Sequence, residues 1–113
     1  MQTVTIFAPN GEIQSEYANS FFARFCGLMG RKNLPQGKGM IFDATNSIHM
    51  LFMRFAIDAV FLDKNGKILS IHKSLKPWIG FAICTKAYYV IELGAEEAER
   101  LGFKIGEKIK AWV

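Results

Sequence analysis

Three polar residues interrupt stretches that are otherwise apolar. His49 stands inside Ile48-His49-Met50-Leu51-Phe52-Met53, Arg54 follows directly, and Asp58 lies inside Ile57-Asp58-Ala59-Val60-Phe61-Leu62. A buried charge is costly unless it is paired, so these residues read either as structural partners or as a site. In the structural reading, Arg54 and Asp58 form an ion pair across a short turn and His49 donates to a carbonyl. In the chemical reading, Arg54 binds an anion, Asp58 orients His49 or Arg54, and His49 moves a proton near neutral pH. If residues 48–53 and 57–62 pair as a hairpin around residues 54–56, His49 falls opposite Phe61 rather than Asp58. That register weakens the catalytic version.

Arg24 and Arg31 are the next candidates. Both can face solvent, the commonest fate of arginine. Alternatively they join Arg54 in gripping a carboxylate or phosphate bidentately. Gly37-Lys38-Gly39 lacks the spacing of a phosphate loop and is read as a flexible connection. Glu92 closes an apolar strand and either pairs with an arginine or marks the strand's wet end. Trp78, Ile79, Phe81 and Ile83 either complete the core or form an exposed aromatic lip, which would mark a partner surface. His72 shares its strand parity with Ser70 and reads as solvent-facing. There is no Ser-His-Asp spacing, His-x-x-x-His pair or close carboxylate pair to specify hydrolysis or a metal, so no metal or cofactor is expected.

The elements that must position these residues are mostly strands. Alternating residues before Pro9-Asn10-Gly11 predict a strand and a tight hairpin, with residues 12–17 returning. Ala18, Phe21, Phe22, Phe25, Leu28 and Met29 follow helical spacing, predicting a helix over 19–29 that stops at Gly30. Residues 32–39 form a loop. Strands are predicted over 40–42, 48–53, 57–62, 68–73, 86–93 and 108–113. A short helix is predicted over 95–101, with Glu96 and Arg100 spaced for a pair and Gly102 as its stop. Short connections favour antiparallel neighbours. The expected fold is therefore mainly β, an antiparallel sandwich or barrel with two short helices, in one domain over 1–113.

The whole-chain properties exclude more than they imply. A chain of 113 residues, half of them hydrophobic, is long enough for one packed core. A net charge of +4 from 14 cations and 10 carboxylates looks small and dispersed, so no nucleic-acid partner is expected. No apolar run reaches the roughly 18–20 residues of a membrane span, and no membrane partner is expected either. The opening residues lack a charged segment followed by an apolar one, which points to the cytoplasm. Cys26 and Cys84 then read as reduced thiols, Cys26 being the more reactive candidate because Arg24 and Arg31 lie near it.

The motifs Gly27-Leu28-Met29-Gly30-Arg31, Gly39-Met40-Ile41-Phe42, Ile48-His49, Phe52-Met53-Arg54, Ile57-Asp58, Phe61-Leu62-Asp63 and Tyr89-Val90-Ile91-Glu92-Leu93 resemble the domain of unknown function 192 family. The resemblance runs in the family's order over about 18–113. It implies a small, mostly β protein with a sandwich or jelly-roll-like core, and it supplies no reaction. Arg24, Gly27, Met29, Arg31, Gly39, Met40, Asp58 and Glu92 fall on the family pattern. Many members carry Trp-Met-Lys-Asn-Thr in the region of His49, which argues against a general catalytic role for that residue. Met50 and Ala56 also depart from the Thr and Pro of the His-containing branch.

Three functional expectations follow. The leading one is a cytoplasmic, non-enzymatic binding or accessory domain whose polar cleft, with Arg24, Arg31, Arg54, Asp58 and His49, recognises a small anion or a partner's carboxylate. The second is an enzyme using His49 and Asp58 in acid-base chemistry on an anionic substrate. The third is a protein–protein module acting through the Trp78/Phe81 surface.

Overall fold

The computed structural model describes residues 2–18 and 31–111. The chain runs β1 (Gln2–Ala8), β2 (Gly11–Ala18), β3 (Lys38–Phe42), β4 (Ser47–His49), β5 (Ile57–Leu62), β6 (Ile68–Leu75), β7 (Phe81–Ile83), β8 (Tyr89–Gly94), α1 (Glu97–Leu101) and β9 (Lys110–Ala111). Seven strands form one sheet in the order β6-β5-β8-β3-β2-β1-β9, and β4 pairs with β7 in a second, two-stranded sheet. The sheets do not close into a barrel, although an isolated bridge between Lys67 and Lys108 links the segments leading into β6 and β9. No described helix is long and apolar enough to cross a membrane.

Strict two-residue alternation explains why the centre of the large sheet is apolar on both faces. Met40, Phe42, Ala59, Phe61 and Val90 point into one core cluster, which also receives Ile48, Met50, Met53 and Ala82. Ile41, Val60, Leu62, Ile91 and Leu93 point the other way, where Ile6, Ile13, Leu101 and Phe103 complete a second cluster. The small sheet is thus a partial second layer on the first face. Gly39 makes the centre possible: a Cβ there would stand 3.0 Å from Leu93 Cδ2 and 3.1 Å from the Glu92 carbonyl oxygen.

Three expectations are corrected. The large sheet is mixed, because β2 and β3 are parallel, from Gln14 opposite Lys38 to Ala18 opposite Phe42. Residues 19–37 form a connection long enough for such a crossover. The predicted strand 48–53 ends at His49. It does not pair with β5; β4 pairs with β7, which puts His49 opposite Phe81, while β5 lies between β6 and β8. The second helix begins after Glu96, whose φ of 74° makes it the left-handed residue before the first turn. Its ion pair accordingly joins Glu97 to Arg100 rather than Glu96 to Arg100. The predicted helix 19–29, with Arg24, Cys26, Gly27 and Met29, lies outside the described residues.

Candidate functional site

Among the described residues, which do not include Arg24, the anticipated polar cleft is not assembled in the way its residue types suggested. Asp58 is completely buried on β5. Its Oδ1 accepts the Ser74 N–H at 2.8 Å and its Oδ2 accepts the Ala98 N–H at 2.9 Å. The carboxylate therefore ties the end of β6 to the first turn of α1, and no ion pair with Arg54 forms among the described residues. Arg54 is exposed. Arg31 is engaged elsewhere, its guanidinium 2.7 Å from Glu16 Oε2. His49 is exposed on the small sheet, where its Nδ1 accepts the Leu51 N–H at 3.3 Å. Asp58 and His49 are thus committed to different backbone partners and do not form a dyad. His72 is half-buried rather than solvent-facing, edge-on to Phe61 with 5.5 Å between ring centroids and 3.3 Å from the Ser70 hydroxyl.

Two cavities do not change this picture. One, of about 490 Å³, is lined in part by Glu96, Glu97 and Arg100. Two of these three charged groups are engaged with each other in a bidentate pair, with Arg100 Nε and a terminal nitrogen 2.7 and 2.8 Å from the two Glu97 oxygens. The Arg100 hydrogen bonds hold the Glu97 carboxyl below its usual range against the opposing effect of burial, and the Gly37 N–H assists. The other, of about 280 Å³, lies between Phe7, Ile68 and Phe103. None of the expected site residues among the described residues lines either cavity. Glu92 is buried, and desolvation pushes its carboxyl up to about 8. No hydrogen bond or ion pair reaches it among the described residues.

What the fold does assemble is an apolar platform. Leu51, Phe52, Trp78, Ile79, Phe81 and Ile83 are between 48% and 77% exposed. They come from two turns, residues 50–53 and 76–80, and from one face of β7. The turns are locked together: Trp78 N–H donates to the Met50 carbonyl at 2.8 Å, Met50 N–H to the Gly80 carbonyl at 3.0 Å, and Met53 N–H to the Met50 carbonyl at 3.1 Å. Met50 is the buried peg beneath them, and Gly80 leaves it room, since a Cβ there would stand 2.6 Å from Met50 Cγ. Phe52 and Trp78 have φ of 65° and 70°, a left-handed conformation that bulky side chains rarely adopt. Their rings meet edge to face, 5.1 Å between centroids.

The sequence segments that carry this platform have one sign of charge. Residues 44–57 and 64–91 hold six of the chain's lysines and arginines and none of its ten carboxylates. Arg54, Lys76 and Lys86 are exposed there. The lip at Trp78 and Phe81 was one of two alternatives in the sequence. Leu51 and Phe52 were missed, because an unbroken Met-Leu-Phe-Met run reads as a buried strand. The acid-free segments were legible, but a whole-chain charge averages them away.

The family model DUF192, Uncharacterized ACR, matches residues 4–111. The chain belongs to this family. The UPF0127 protein PF1050 of Pyrococcus furiosus is 32% identical over 105 residues, covering 87% of this chain and 86% of its own. The UPF0127 protein PH1112 of Pyrococcus horikoshii is 34% identical, covering 88% and 87%. Among solved structures, a protein of unknown function from Novosphingobium aromaticivorans superposes with a TM-score of 0.82 at 25% identity, over 96% of this chain and 83% of its own. A Sinorhizobium meliloti protein, named for a proposed role in transcription regulation, superposes with a TM-score of 0.84 at 25% identity, over 96% and 92%. The family is uncharacterised, and its members' names carry no reaction.

Proposed function

We propose that this DUF192 chain is a non-enzymatic binding module whose working surface is the platform on the β4–β7 sheet, and that it docks an apolar surface bearing negative charge. The observation that carries this reading is the pair Phe52 and Trp78. Each holds a left-handed backbone, a conformation costing on the order of 1–3 kcal/mol, and each presents its ring to solvent rather than to the core. Folding alone does not account for such an arrangement, and strained, exposed aromatic groups cluster at recognition sites. The anion-binding expectation enters here through Arg54, with Lys76 and Lys86, rather than through an arginine cleft. A cytoplasmic location belongs to the same reading, supported by the free thiol of Cys84. Nucleic acid fits the surface poorly, because a phosphate-tracking face has no use for Leu51, Ile79 and Ile83.

A dye that is itself apolar and anionic, anilinonaphthalene sulfonate, tests the reading. The native protein is expected to enhance its fluorescence, and a Trp78→Ser/Phe81→Ser variant to lose most of that signal while its urea midpoint stays within about 1 kcal/mol of stability. Undiminished dye binding in the variant overturns the proposal. So does unfolding of the variant, which would make the rings structural.

A further inference from the structure

We infer that the partner of this platform is an anionic lipid bilayer, adsorbed at its surface; the inference rests on the docking reading above and names its occupant. A bilayer interface asks three things of a protein: apolar groups that can enter the acyl boundary, amphipathic aromatics at headgroup level, and cations beside them. Ile79, Leu51 and Phe52 supply the first at the tips of two adjacent turns, and Trp78 supplies the second. Arg54, Lys76 and Lys86 supply the third, from segments without a carboxylate to repel the headgroups.

The choice of lipid over a protein partner comes from composition and from shape. Lysine is depleted at protein–protein interfaces, yet two of the three cations beside this platform are lysines. Three of the exposed apolar groups, Leu51, Ile79 and Ile83, are aliphatic and suit entry into the acyl boundary of a bilayer. The backbone bonds between the turns hold the rings outward before any encounter, so adsorption needs little ordering. The expectation of no membrane partner rested on the lack of a spanning segment, a requirement that does not apply to adsorption at the surface.

Co-sedimentation of the full chain with vesicles of phosphatidylcholine, with and without phosphatidylglycerol, is the test. Binding is expected only with the anionic lipid. It should weaken as salt rises from about 0.1 M to about 1 M, where the screening length falls from about 10 Å to about 3 Å. Lys76→Gln and Lys86→Gln are each expected to lower partitioning about fivefold, the effect of one cation near such a surface. Trp78→Ser/Phe81→Ser should abolish binding at any salt. Equal binding to neutral vesicles, or undiminished binding by the double variant, overturns the lipid assignment. So does retention on an immobilised acidic amphipathic peptide without vesicle binding, which would make the partner a protein. If vesicles fail while the wild-type chain still binds the anionic dye, only the lipid assignment falls; if dye binding fails too, the docking reading falls with it.

Discussion

Two regions of this molecule use the same uncommon backbone conformation for different purposes. Around α1, the left-handed residues Ser74 and Glu96 shape the chain for internal bonds. Ser74 directs its N–H at Asp58, and Glu96 precedes the short helix whose Ala98 N–H reaches the same carboxylate. The buried carboxylates there are engaged: Glu97 with Arg100 and with Gly37, Asp58 with two amides. At the platform, Phe52 and Trp78 adopt the same conformation and leave their side chains in water. Strain that completes a hydrogen-bond network is part of folding, whereas strain that displays apolar rings points outside the molecule.

Asp58→Ala is expected to break the first half of this contrast most severely. It leaves two amides without their acceptor, one of them in a fully buried bond, and should cost about 3–5 kcal/mol in urea unfolding. Glu92→Gln sharpens it from the other side. The folded carboxyl titrates near 8 and the unfolded one near 4.5, so the folded state holds the extra proton between those values. Stability is then fully present below about pH 4.5 and falls as pH rises towards 8. The glutamine variant should lack this slope and gain a few kcal/mol at pH 8 relative to the parent, seen as melting curves across pH. Gly80→Ala forces Met50 and the Lys76 carbonyl aside and should cost about 1–3 kcal/mol, loosening the platform without touching Asp58. The smallest effect is expected at the platform rings. Phe52→Gly relieves a left-handed backbone and should leave the melting temperature unchanged or raised, by at most about 1 kcal/mol of stability. A large loss there would erase the contrast.

Local pattern made much of the fold legible. The Pro9-Asn10-Gly11 hairpin, the turn around Asn65-Gly66 and the strand over 57–62 follow from turn residues and alternation, and β5 spans that same stretch, Ile57–Leu62. Pairing was less legible, because alternation says that a strand is buried but not which strand lies beside it. Ile48 and Ala82 share a register that no local signal joins, and the parallel β2–β3 pair depends on where a long connection delivers β3. The surroundings of the candidate residues were less legible for a related reason. Asp58 is polar in an apolar run, as a catalytic acid would be, yet its partners are backbone amides 16 and 40 residues away, and amides leave no mark on residue type. Leu51 and Phe52 differ from the buried Met50 and Met53 only in the turn that carries them.

The position of β8 has a consequence for how the chain is made. It is the eighth strand in sequence, yet it lies between β5 and β3 near the middle of the large sheet, with Glu92 opposite both Met40 and Ala59. On a ribosome, β3 and β5 therefore emerge with their inner edges unpaired and wait for residues 89–94 before the sheet can join. During that interval two apolar strand edges are open to other chains. The nascent protein passes through its most aggregation-prone form shortly before residues 89–94 are synthesised, and a chain halted before Tyr89 cannot leave that form.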